Sequence, residues 1–197
     1  MLKRLFDIVF SLIGLILFSP LILLFILLVK LESSGPAFYP GKRVGKNGKV
    51  FKMFKFRSMV QGADKMGGPS TSADDPRLLK IGKFLRRYQI DELPQFFNIF
   101  KGDMSFVGPR PEVPSEVETY DEETKRIILS VKPGLTDLAT LENIHEEEIL
   151  KGAVDSHEAY RRLIQPTKLR LAKEYVKNRS FWLDIKIILL TLKSAII

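Results

Sequence analysis

A chain of 197 residues with a formal net charge of +8 has room for one domain with a packed core. Cysteine is absent, which excludes disulfides and thiol chemistry and fits a reducing cytoplasm. The charge is uneven. Lys and Arg outnumber Asp and Glu by 18 to 8 as far as Pro111, whereas 13 face 15 beyond it. The first half therefore calls for an anionic partner: phosphate esters, lipid headgroups or nucleic acid. His145 and His157 lie in the acidic half without ligand spacing, so a zinc site is not expected.

From Ile8 to Val29 the chain carries no charge for 22 residues. A straight helix of that length reaches roughly 33 Å, enough to cross a bilayer core. No small-residue cleavage site follows, which disfavours a signal peptide. Ser19-Pro20 interrupts the run, where proline strands the Ile16 carbonyl and bends the helix. Basic residues flank both ends, Lys3 and Arg4 before, Lys30, Lys42 and Arg43 after, and each end prefers the cytoplasm. A re-entrant helix broken at Ser19-Pro20 and a kinked spanning helix stand level on these grounds.

Residues Ser33 to Gly48 read as loop and turn, with Asn47-Gly48 a hairpin signal. Val50 to Met59 reads as a short strand whose Lys52, Lys55 and Arg57 form a basic face. Met59 to Asp75 is turn-forming, a candidate flap, and helical periodicity returns over Leu78 to Tyr88. Asp91 is placed to open the next helix, ending near Lys101-Gly102. As its cap it would need no chemistry, but a helix N-terminus also receives phosphate, so the two roles are compatible. Gly108-Pro109-Arg110-Pro111 is stiff and presents Arg110 at low entropic cost. Beyond it come an acidic helical region (Glu112 to Ser130), a turn at Lys132-Pro133-Gly134 and a solvated acidic face over Glu142 to Glu158. A helix over Tyr160 to Asn178 follows, then an apolar stretch, Phe181 to Ile197, suited to a membrane surface or the underside of the domain.

Several short pieces follow one another along the chain: Lys55-Phe56-Arg57-Ser58-Met59, Asp75-Pro76-Arg77, Gly82 through Arg86, Asp91-Glu92-Leu93-Pro94-Gln95 and Asn98. Lys101 to Ser105, Gly108 to Pro111 and Pro133-Gly134-Leu135-Thr136 complete the set. In this order and spacing the chain resembles the bacterial sugar transferases, monotopic polyprenol-phosphate phosphoglycosyltransferases that start surface-glycan assembly. The resemblance covers nearly the whole chain, and the length is similar to minimal members that lack a multi-spanning N-terminal domain.

The resemblance implies an α+β, mostly helical fold. A re-entrant membrane helix (1–32), broken at Ser19 and Pro20, precedes a catalytic domain (33–197) with a small β element and amphipathic interfacial helices. That domain would lie on the cytoplasmic face of the bacterial inner membrane. The implied reaction moves sugar 1-phosphate from a UDP-sugar to polyprenol (undecaprenyl) phosphate and releases UMP, with Mg²⁺. Asp91 would be the nucleophile, forming an aspartyl-phosphosugar, and a metal ligand. Glu92 would assist, through the metal or by activating the acceptor.

The residues themselves agree. Phosphate chemistry needs charge neutralisation, and a carboxylate nucleophile lets UMP leave before the lipid arrives. Arg86 and Arg110 have forks suited to phosphate oxygens, and Lys55 and Arg57 would extend that clamp. The expected partners are the UDP-sugar, polyprenol phosphate and membrane lipid, with no nucleic acid; a homodimer is left open. Gly41, Leu79, Asp137 and Thr140 depart from the family pattern, so the sugar and the pathway stay open. The alternative is a membrane-anchored basic module that binds anionic lipid or a partner protein without catalysis.

Overall fold

The computed structural model describes residues 1–68, 70–142 and 146–194. His145 and the last three residues of the apolar C-terminal stretch lie outside these. Helix α1 (Leu2–Leu17) and helix α2 (Ser19–Glu32) meet at Phe18 with a bend of 59°. Pro20 has no N–H for the Ile16 carbonyl, and the Ser19 hydroxyl donates to that carbonyl instead, at 2.7 Å. The Ser-Pro pair therefore bends the run without orphaning a backbone acceptor. Among the described residues no single helix is long and apolar enough to cross a membrane; the bent pair together meets that test by length and composition.

Both arms of the pair rest on the same body of protein. Near the start of α1, Lys3 bonds Asp184 at 2.6 Å and the Val107 carbonyl at 2.9 Å. Arg4 donates to the carbonyls of Ile99 and Phe100, and the buried Asp7 accepts from the Phe106 N–H and the Ser105 hydroxyl. On α2, Phe25 and Val29 pack with Phe56 and Leu85, and Glu32 accepts from the N–H groups of Lys80 and Ile81. The outward side keeps Phe10, Ile13, Leu17, Leu24 and Leu27 exposed.

Strands β1 (Phe38–Val44) and β2 (Val50–Phe56) pair antiparallel, joined through Asn47 and Gly48, both at positive φ. Strand β1 falls in the stretch read as loop. Pro40 and Gly41 are poor strand formers, but β2 supplies the partner that local propensity does not. The expected basic face on β2 is corrected too. Lys52 and Lys55 differ in parity and so point to opposite sides, with Lys55 on the side of the buried Phe51 and Met53.

Helix α3 (Lys80–Arg87), a 3-10 turn (Ile90–Glu92) and helix α4 (Gln95–Lys101) follow. Strand β3 (Ser105–Val107) then pairs parallel with β4 (Gly134–Thr136), across helices α5 (Pro114–Glu118) and α6 (Glu122–Ile128). The expected turn at Lys132-Pro133-Gly134 thus runs straight into a strand. A Cβ on Gly134 would lie 2.1 Å from the Gly108 nitrogen, so this approach requires glycine.

The remainder is helical: α7 (Leu138–Glu142), α8 (Glu146–Ile149), α9 (Ser156–Leu163), α10 (Gln165–Asn178) and α11 (Phe181–Ser194). The helix expected over Tyr160 to Asn178 is two, because Pro166 sits in the first turn of α10 and starts a new helix there. The fold is α+β and mostly helical, with two small two-stranded sheets among the described residues.

Asn98 ties β2 to α4. It is fully buried; its Oδ1 accepts from the Phe54 N–H at 2.9 Å and its Nδ2 donates to the Lys52 carbonyl at 2.7 Å. Asn98→Ala strands both groups, at about 1–3 kcal/mol each. Denaturation of the detergent-solubilised variant is expected to show a loss of about 2–4 kcal/mol. A loss under about 1 kcal/mol would mean that water replaces the amide.

Candidate active site

Helix α3 ends at Arg87, and Gln89 adopts a left-handed backbone (φ 55°) that reverses the chain into the Ile90–Glu92 turn. A non-glycine residue held there stores about 1 kcal/mol or more of strain. The turn sets Asp91, 4% exposed, against a cavity of about 610 Å³. Asp91 does not open a helix as expected. Helix α4 begins four residues later, after Pro94, and neither the turn nor α4 has a side-chain cap. The carboxylate is therefore not used in capping.

Its neighbour is heavily paired. Glu92 accepts from Lys55 Nζ at 2.7 Å, from Arg110 Nη1 at 3.4 Å and, in the closest contact, from Arg110 Nη2. The same Lys55 ammonium lies 3.7 Å from Asp91 Oδ2. Burial works against both charges, and the balance differs. For Asp91 burial prevails over Lys55, and the adjacent Glu92 adds to it, so the carboxyl sits above its ordinary value. For Glu92 burial is outweighed by Arg110 and Lys55, which hold it far below the ordinary carboxylate range.

The structure brings Asp91, Glu92, Lys55, Arg86 and Arg110 to this one cavity. It does not bring Arg57. That guanidinium is buried and donates to the carbonyls of Ser33 and Ser34, both at 2.6 Å, so it fastens the chain leaving α2. Ser19 and Pro20 lie at the helix bend. The Arg110 backbone N–H donates to Asp137 Oδ2 at 3.1 Å, while Asp137 Oδ1 accepts from the N–H and hydroxyl of Thr140. Two of the departures from the family pattern, Asp137 and Thr140, thus work as a pair: they cap α7 and hold the arginine loop.

Sequence reasoning missed the opposite wall. Glu112 accepts from the Tyr160 hydroxyl at 2.8 Å and pairs with Lys168 at 3.1 Å, and Arg43 lines the cavity beside them. Glu112 stands directly after the Gly-Pro-Arg-Pro run, which was the available signal; Tyr160 and Lys168 had none. The stretch read as a flap supplies Ser70, Thr71 and Ala73 to the rim. Arg77 holds it from beneath, through Asp75 and the carbonyls of Ala63 and Gly68. In all, seven Lys and Arg line the cavity against five Asp and Glu, an excess that suits an anion.

The model of the family described as bacterial sugar transferase matches residues 1–197. The chain belongs to that family. It is 38% identical over 197 residues to the UDP-N-acetylgalactosamine-undecaprenyl-phosphate N-acetylgalactosaminephosphotransferase of Aeromonas hydrophila, covering 98% of this chain and 43% of that protein. A putative undecaprenyl-phosphate N-acetylgalactosaminyl 1-phosphate transferase of Bacillus subtilis is 52% identical over 121 residues, 61% of this chain and 68% of the relative. The UDP-glucose:undecaprenyl-phosphate glucose-1-phosphate transferase of Escherichia coli is 40% identical, covering 97% of this chain. The chain spans about 39–43% of the length of the Escherichia and Aeromonas proteins.

Among the described residues no group of three Asp, Glu, His or Cys side chains converges as a metal cage. Mg²⁺ does not need one, since it binds through one or two carboxylates plus substrate phosphates. Asp91 fits that donor set, because Lys55 and Arg110 take up Glu92. Gln95, the last residue of the Asp91–Gln95 piece, is 1% exposed and lines the cavity, and its Nε2 lacks a hydrogen-bond partner. Such a group costs about 1–3 kcal/mol where it stands.

The Glu92 pairing predicts a pH dependence of stability. A carboxyl depressed in the fold contributes stability that is complete above its unfolded value near 4.5 and is lost as pH falls through the folded value. The melting temperature of the parent should therefore exceed that of Glu92→Gln by a constant margin above about pH 5, a margin that shrinks toward pH 3. A margin independent of pH over that range would mean that Glu92 is not held as a charged partner.

Proposed function

We propose that this chain transfers sugar 1-phosphate from a UDP-sugar to polyprenol phosphate and releases UMP. The observation that carries the reading is the adjacent Asp91-Glu92 pair, Asp91 buried and Glu92 partly so, facing a cavity shared with Lys55, Arg86 and Arg110 in a bacterial sugar transferase. The relatives' names, which specify undecaprenyl phosphate as acceptor, support it. In the first step an Asp91 carboxylate oxygen attacks the phosphorus bearing the sugar. The new O–P bond forms as the bond to the UMP phosphate breaks, and UMP leaves with that electron pair. In the second step an oxygen of polyprenol phosphate attacks the same phosphorus, forming the lipid diphosphate and releasing Asp91 as carboxylate. Arg86 and Arg110 neutralise phosphate oxygens, and Lys55 favours the Asp91 carboxylate form against the effect of its burial. Bound Mg²⁺, held by Asp91 with substrate phosphates, would lower repulsion between carboxylate and diphosphate.

Residues 1–32 are assigned to the membrane as a re-entrant segment, and 33–197 to a catalytic domain on the cytoplasmic face. Two features support this. Lys3, Arg4 and Glu32 bond the same domain from opposite ends of the bent pair, and the side turned away from it is apolar. The chain has no cysteine of its own, so single cysteines at Leu2 and Lys42 report cleanly. Both are expected to be modified from the cytoplasmic side only. Labelling of the two from opposite sides would establish a spanning helix.

Intact-protein mass spectrometry tests the nucleophile. With UDP-N-acetylgalactosamine or UDP-glucose and Mg²⁺, and no lipid acceptor, the parent should gain one sugar phosphate. Asp91→Asn should gain none and lose turnover by about 10³-fold or more, with an unchanged circular-dichroism spectrum. An adduct on Asp91→Asn would move the nucleophile elsewhere. No UMP release from the parent with any UDP-sugar would favour the non-catalytic anchor.

A further inference from the structure

We propose that the Gln95 side-chain amide is a catalytic group that donates from Nε2 to a non-bridging oxygen of the phosphoryl group Asp91 attacks. The inference rests on the phosphotransfer reading above and adds a residue to it.

Three observations lead to it. Gln95 is the first residue of α4 and lines the cavity that Asp91 and Glu92 face. It is 1% exposed, so water does not serve its amide freely. Its Nε2 has no hydrogen-bond partner, whereas the neighbouring Asn98 amide uses both its ends on backbone groups of β2. A buried donor without an acceptor is uncommon in a folded protein and is explained when a ligand brings the acceptor. The ligand of this cavity brings phosphate oxygens, which accept and do not donate.

The chemistry also favours a neutral donor at this position. Another cation beside Asp91 would pair with it and weaken the nucleophile, as Lys55 and Arg110 do for Glu92. An amide stabilises charge growing on the phosphoryl oxygens without forming an ion pair with the carboxylate. Fixed in the first turn of a helix, it needs little reorganisation as the reaction proceeds.

The test uses the full chain in detergent or nanodiscs, with UDP-N-acetylgalactosamine and UDP-glucose as donors. Gln95→Met keeps the length and removes the donor; Gln95→Leu is a second variant should the first fail to fold. Either is expected to lower the rate of adduct formation at Asp91 about 10–100-fold, mainly in kcat. The ligand-free melting temperature should stay level or rise, because the orphaned donor is gone. Gln95→Glu should be slower still, since a carboxylate would face the diphosphate. Adduct formation within about three-fold of the parent overturns the proposal, as does a melting temperature that falls in step with activity, the mark of a structural amide. If the parent forms UMP and Gln95→Met matches it, this inference alone fails. If the parent forms no UMP, the transferase reading fails and takes this one with it.

Discussion

One three-residue turn takes Asp91 out of water and the adjacent Glu92 most of the way, and several long-range contacts make that tolerable. Burying a carboxylate without compensation costs several kcal/mol even after relaxation. Lys55 and Arg110 arrive from different parts of the chain, a strand and a proline-bracketed loop, to supply the opposite charge. Each cation is itself held. The strand carrying Lys55 is bonded through Asn98 to the helix that follows the carboxylates. The loop carrying Arg110 is bonded through its backbone to Asp137. Charge compensation and backbone position are therefore one problem here, solved by the same contacts.

The N-terminal helix pair is part of that solution. Glu32 caps the first N–H groups of α3, and Arg4 donates to carbonyls in the last turn of α4. These are favourable charges at each helix end, negative at the start and positive at the finish. They sit at the far ends of the two helices that flank the Asp91-Glu92 turn. Under the proposed topology, the segment that enters the bilayer also fixes the frame in which the carboxylates meet their substrate. Anchor and catalytic frame would then move together, so a lipid phosphate held at the bilayer surface meets a site of constant geometry.

The parts of this arrangement legible in the sequence were those with a short-range cause. Pro20 lacks an N–H whatever surrounds it, so the bend could be read directly, and Asn47-Gly48 marked the hairpin. Long-range partners could not be read. Lys3 and Arg4 looked like topology signals, but their bonds reach Asp184 and the Ile99 carbonyl, far along the chain. Arg57 sat in a basic stretch that suggested a phosphate clamp, yet the carbonyls after α2 claim it. The wall formed by Tyr160 and Lys168 depends on α9 and α10 folding back over Glu112, which no local pattern encodes. Asp137 and Thr140 looked like losses against the family pattern, but in three dimensions they are a matched pair.

Under the proposed reaction, the same geometry gives the two carboxylates different roles. A nucleophile must be ionised and must also keep its electron pair available. Glu92 is ionised but engaged by two cations, so its charge is spread into ion pairs that would have to break before it attacked. Asp91 stands further from Lys55, and burial leaves it the more basic of the two. Its raised proton affinity comes from burial, and the proposed attack on phosphorus would draw on the same poorly solvated charge. Lys55 sets the limit: without its field burial would push Asp91 further toward the neutral acid, which cannot attack. Glu92 therefore holds Lys55 and Arg110 beside the cavity, which leaves Asp91 as the proposed nucleophile.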